Sequence, residues 1–158
     1  LAEAFAERLV SIGCVAHAVS SELASQAALT MGMKANDVVV GIGATSMTPG
    51  VAALLKLARD AGATTISIAG AASNPIAAIA KYVLYTPVTT VGLLPSWTAA
   101  AGALHALSQA IAASDAEKAA RWAANNDSYL RTYSDTLRDQ LADVQTTLKQ
   151  RSTRARKQ

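Results

Sequence analysis

Aromatic residues make up only 4% of the 158 positions. A core with so few rings must be built mainly from Ala, Val, Leu and Ile at close helix-to-sheet distances. This excludes an aromatic-rich sandwich of strands and favours layered α/β or all-α packing. Cysteine occurs once, at Cys14, which excludes an intrachain disulfide and suits a reducing cytosol. No His or acid stands at metal-ligand spacing from it, so Cys14 reads as a small core residue on a strand, with neither metal nor cofactor expected. Asp, Glu, Lys and Arg are all missing from Tyr82 to Ser114. Pro87, Gly92, Pro95, Gly102, His105 and Gln109 interrupt that stretch, leaving no apolar run of the roughly 20 residues needed to span a bilayer. Burial inside protein, at a subunit interface, is the expectation. The first residues show no charged leader followed by an apolar run, so a cytoplasmic location without membrane contact is expected.

What is present divides by charge. Lys149, Arg151, Arg154, Arg156 and Lys157 follow the last acid, Asp143, while residues 1–148 carry nine bases against eleven acids. The body is therefore mildly acidic, and residues 149–158 read as a basic, disordered tail in solvent. The length fits one domain, whose single core buries roughly two thirds of the unfolded surface.

Leu1, Phe5, Leu9 and Ile12 recur at helical spacing, and Gly13 ends that helix. Cys14–Val19 reads as a short strand, followed by a helix from Ser20 or Ser21 to about Met31. Val38-Val39-Val40-Gly41-Ile42 is the continuous apolar run of a strand covered on both faces. After the loop Gly43–Thr48, Thr48 caps a helix opened by Pro49, with Val51, Leu54, Leu55 and Ala58 as its buried stripe. Thr64–Ala69 is the next strand, Asn74-Pro75 opens a short helix, and Tyr82–Tyr85 is a last strand. Beyond Pro95 the chain is helical. Ser114-Asp115-Ala116-Glu117 reads as a capping box with Ser114 as the cap. Trp122, Tyr129, Tyr133, Leu137, Leu141, Val144 and Leu148 form a stripe along the following helix, with a kink or split allowed at Asn125-Asn126-Asp127. Alternating strands and helices imply parallel strands with right-handed crossovers, whose ligands sit at the strands' carboxyl ends.

Gly43–Thr48 occupies that place. A short bend from a buried strand into a helix offers free backbone N–H groups and the positive end of the helix dipole, both of which favour phosphate. Thr45, Ser46 and Thr48 add three hydroxyls without bulk or negative charge. Gly41 and Gly43 are expected to let the backbone approach a ligand. Ser/Thr/Gly bends also occur for structural reasons alone.

The stretch Asn36–Gly50, continued by Leu54–Ala63 and Ile66–Gly70, resembles the centre of an SIS (sugar isomerase) domain. That family has an Asp before a strand, then roughly S-x-S-G-x-T, a helix ending in an Ala-Gly-Ala-like turn, and an apolar strand. Ser73-Asn74-Pro75-Ile76-Ala77 resembles its Ser-Pro-Leu-Ala segment. Where the family usually has Ser, Ser and Gly, this chain has Gly43, Thr45 and Ser46, and only Thr48 agrees fully. The resemblance implies an α/β fold with a three-layer parallel sheet of flavodoxin-like topology, strand order 2-1-3-4-5, with C-terminal helices beyond. The family's first strand precedes the opening helix and is expected to be missing here; it would lie between Cys14–Val19 and Val38–Ile42. The domain is expected over 1–113, a helical extension over 114–148 and the tail over 149–158.

The resemblance further implies phosphate binding by Gly43, Thr45, Ser46 and Thr48, with Ser20, Ser21 and Glu22 as weaker ligand contacts. Isomerases of this fold need a general base and acid. The helix after Val19 offers only Glu22, and His17 and His105 read as core or interface residues, so an enzyme is not expected. The chain most resembles the effector domain of RpiR-type bacterial transcription regulators. That kinship implies a phosphorylated sugar or amino sugar as ligand, a homodimer or higher homo-oligomer, and DNA reached only through an N-terminal domain not present here. A sugar-phosphate isomerase or lyase, and a dimerisation module whose pocket has decayed, are the alternatives.

Overall fold

The computed structural model describes residues 1–19, 23–43, 49–88 and 96–155. Helix α1 (Ala2–Ser11) is followed by α2 (Leu23–Gly32), strand β1 (Val38–Gly43), α3 (Pro49–Asp60), β2 (Thr64–Ala69), α4 (Pro75–Ile79), β3 (Tyr82–Tyr85), α5 (Thr98–Ser114) and α6 (Ala116–Ala155). The strands form one sheet in the order β1-β2-β3. Both pairings are parallel, with Val38 opposite Thr64, Gly43 opposite Ala69, and Ile66 opposite Tyr82.

Because side chains alternate along a strand, each face collects its own cluster. Ala69 packs with Leu55 of α3 and Ile76 of α4, flanked by Val39, Val51 and Val83. Ile68 packs on the other face with Phe5 of α1 and Ala100 and Leu104 of α5, flanked by Val40 and Ile42. The sheet is thus the middle of three layers, with helices on both sides of β1 and β2, while Val38 at the start of β1 is exposed.

Gly41 sets how closely α3 can lie. A Cβ at this position would stand 2.6 Å from Leu55 Cδ1 and 3.0 Å from Val51 Cγ1, and Leu55 is itself fully buried. The missing side chain is therefore used by the helix above it. The expectation that Gly41 admits a ligand is corrected accordingly.

Cys14–Val19 forms no strand. Cys14 N–H donates to Leu9 O at 3.0 Å, closing the end of α1, and Val15 is 94% exposed. A strand exists only through its ladder partners, and among the described residues none lies beside this segment. His17 is accordingly exposed rather than in a core. Gly13, at φ 87°, makes the left-handed turn that closes α1, and the Trp122 ring of α6 lies where its Cβ would be.

The junction of the last two helices is displaced by one residue from the expected capping box. Ser114 ends α5, its hydroxyl donating to Ile111 O at 2.7 Å. Asp115 is the cap: its Oδ1 accepts from Lys118 N–H at 3.0 Å. From there α6 runs unbroken for 40 residues, through Asn125–Asp127 and through residues 149–155, where a disordered tail is expected. Neither Gly nor Pro occurs in it. Its Lys and Arg are good helix formers that also complement the negative end of the helix dipole. From Ala120 to Gln145 every residue of α6 is exposed, so its apolar stripe, with Tyr129 at 77%, is uncovered.

Two substitutions test this packing. Gly41→Ala should cost about 1–3 kcal/mol in urea unfolding, because α3 cannot move off the strand without opening its cluster. Ser67, beside Gly41 in the ladder, has a buried hydroxyl with no hydrogen-bond partner. Ser67→Ala should therefore leave stability unchanged or raise it.

Candidate functional site at the carboxyl edge of the sheet

All three strands end on the same edge, and their exits are tied together. Gly43, the last residue of β1, has a carbonyl that accepts from Asn74 Nδ2 at 2.8 Å and from Gly70 N–H at 3.3 Å. Asn74 is 3% exposed. Its Oδ1 meanwhile accepts from Ile76 N–H at 3.2 Å and so caps α4. One side-chain amide thus joins the exit of β1 to the first turn of α4. Thr86, directly after β3, donates its N–H to Ala69 O at 2.9 Å and carries the row of bonded exits across the sheet.

Residues 44–48 connect Gly43 to the first residue of α3, Pro49. Thr45, Ser46 and Thr48 lie outside the described residues, as do Ser20, Ser21 and Glu22. What the structure gives is their frame: a pinned strand end on one side and, on the other, the N-terminus of a 12-residue helix. A helix N-terminus carries about half a positive charge.

The surrounding sequence leaves that field unopposed. Between Asp37 and Asp115 the only acid is Asp60, at the last position of α3, about 16 Å from its start at the helical rise. There the Asp60 carboxylate accepts from Lys56 Nζ at 2.8 Å, which holds its pKa below the ordinary value. The arrangement suits an anion.

His105 is engaged elsewhere. Arg8 Nη1 stands 2.6 Å from His105 Nδ1; since a guanidinium only donates, Nδ1 is the acceptor. The contact ties α1 to α5. Among the described residues no group of three or more His, Cys, Asp or Glu is placed to hold a metal. None of the described helices is long and apolar enough to cross a membrane.

Sequence reasoning missed the bridging role of Asn74, which it placed only as a helix start. The signal was available: an Asn cap uses its oxygen and, unlike Ser or Asp, keeps an amide donor to spend elsewhere. Thr86 carried no such signal.

A parallel three-layer α/β domain gathers the exits of its strands on one edge, the place where ligands of such sheets bind. Residues 1–113 match the SIS domain family, and the chain belongs to it. Its fold is similar to the sugar isomerase domain of an RpiR transcription factor from Sphaerobacter thermophilus, with a TM-score of 0.74 and 21% identity over 80% of this chain and 70% of that one. It is also similar to the Vibrio vulnificus NanR protein, solved in complex with ManNAc-6P, with a TM-score of 0.68 and 16% identity over 82% of this chain and 50% of NanR. In sequence, 58 residues are 40% identical to an N-acetylmuramic acid 6-phosphate etherase from Edwardsiella ictaluri (strain 93-146), covering 37% of this chain and 19% of the etherase. The chain thus spans about a fifth of that curated relative.

The amide bridge has a direct test. Asn74→Ala should lower stability by about 1–3 kcal/mol, since it strips a buried carbonyl of a donor and α4 of its cap. Asn74→Asp retains the cap but sets a carboxylate against Gly43 O. Thermal unfolding should find it less stable than Asn74→Ala at neutral pH, with the difference shrinking on acidification as protonation restores a donor.

Proposed function

We propose that this SIS domain is the sugar-phosphate-sensing effector and dimerisation domain of a bacterial transcription regulator. The phosphate would be held by the backbone at Gly43 and by the hydroxyls of Thr45, Ser46 and Thr48, in front of the N-terminus of α3. Ser20, Ser21 and Glu22 would make secondary contacts with the sugar or amino sugar. The observation that carries this reading is the pinned exit of Gly43 beside the N-terminus of α3, in a stretch from Asp37 to Asp115 whose one intervening acid, Asp60, lies at the far end of that helix. The likeness in fold to an RpiR transcription factor and to the NanR protein solved with ManNAc-6P supports it.

The ligand would bind one arrangement of a homodimer better than the other and so shift the geometry of attached DNA-reading domains, with DNA reached only through an N-terminal domain. A homodimer is supported by α5, whose Ala99, Gly102, Ala106 and Ala110 form an exposed face of small residues at helical spacing. Such a regulator works in the cytoplasm and performs no catalysis of its own.

A second reading is an isomerase or lyase of the same fold, favoured by the 58-residue match to an etherase. In that case Glu22 would carry acid–base chemistry. The third, a dimerisation module without a ligand, is motivated by Gly43 standing where the family has a hydroxyl.

Calorimetry with a panel of hexose and amino-sugar 6-phosphates separates these readings. Binding is expected, and Thr48→Ala should weaken it about tenfold, the worth of one charge-assisted hydrogen bond. A folded dimer that binds none of the panel would favour the third reading. Turnover of a phosphosugar that Glu22→Gln abolishes would favour the second.

A further inference from the structure

Two side-chain hydroxyls among the described residues are buried without a hydrogen-bond partner, those of Ser67 and Thr86. Ser67 lies in mid-strand opposite Gly41, in the interior of the sheet. Thr86 is different in position. It stands one residue past β3, at the carboxyl edge of the sheet, and is 5% exposed. Its N–H is bonded to Ala69 O, which holds it in line with Gly70 and, beyond that, with the bonded carbonyl of Gly43. Buried hydroxyls ordinarily find partners, so an orphan at such an edge points to a partner that arrives from outside the chain.

We infer that Thr86 is a second contact point of the ligand site and that its hydroxyl bonds the carbohydrate end of a hexose monophosphate. The inference rests on the sensing role proposed above. Strand spacing supplies the geometry: β3 lies two ladder steps from β1, so the backbone of Thr86 is about 10 Å from Gly43 across the edge. Inorganic phosphate seated at the β1 bend is too short to cover that distance, whereas a hexose 6-phosphate is long enough for its sugar to reach across β2 toward β3. A threonine hydroxyl both donates and accepts, as does a sugar hydroxyl, and each satisfies the other.

The test compares the whole chain with its Thr86→Val variant, which keeps the shape and removes the hydroxyl. Without ligand, the variant should melt at the same temperature as the parent or higher, because an unsatisfied group has been removed. Titrated calorimetrically with hexose 6-phosphates, it should bind roughly tenfold more weakly, while its affinity for inorganic phosphate stays unchanged and Thr86→Ser retains the parent affinity.

Equal hexose 6-phosphate affinity in parent and Thr86→Val would overturn the inference and leave the sensing role standing. So would an equal loss for phosphate and sugar phosphate, which would mean that Thr86 acts through the β1 bend. A large drop in melting temperature without ligand, reversed in Thr86→Ser, would overturn it by revealing a partner within the protein. A parent chain that binds no hexose 6-phosphate would remove the sensing role and this inference together.

Discussion

The carbonyl of Gly43 is a backbone acceptor at the end of a buried strand, where the ladder stops and the chain must turn. Left unpaired there, it would cost as much as a lost hydrogen bond and leave the bend without a fixed origin. Asn74 and Gly70 supply its two donors. Because Asn74 also caps α4, a single buried amide fixes where β1 ends and where α4 begins. The geometry of the proposed phosphate bend starts from that point.

Small residues make the frame compact enough to be held this way. Gly41 lets Leu55 and Val51 of α3 sit directly on β1, and Ala58, Ala69 and Ala100 are buried where larger side chains would separate the layers. Close packing also brings the N-terminus of α3 over the strand end, and the helix dipole falls off within its first turn. The scarcity of aromatic residues and the close approach of α3 to β1 are in this sense linked: a core of small aliphatic side chains lets the layers lie close together.

Much of the fold was legible because its signals are local. The β-branched run Val38–Ile42, the Ile66–Ala69 strand, the Pro-initiated helices α3 and α4 and the stripe of α3 all follow from periodicity and turn chemistry. Errors fell where a distant partner decides, except at the start of α6, where two neighbouring residues compete for the cap. Cys14–Val19 has strand composition but, among the described residues, no neighbouring strand to pair with. The start of α6 moved from Ser114 to Asp115 because α5 continued one residue further than its pattern required. Gly41 read as room for a ligand because no local rule reports that a helix beginning eight residues later occupies it.

The sequence alone determined that the chain is a parallel α/β domain with a hydroxyl-rich bend after a buried strand and almost no acid between Asp37 and Asp115. Those properties depend on residue type and spacing, which a linear pattern records. Only the tertiary structure decided that Asn74 reaches 31 positions back to Gly43, that Arg8 takes up His105, and that Thr86 is buried without a partner at the same edge. Each is a contact, or the lack of one, between groups far apart in sequence, and such relations exist only once the layers have closed.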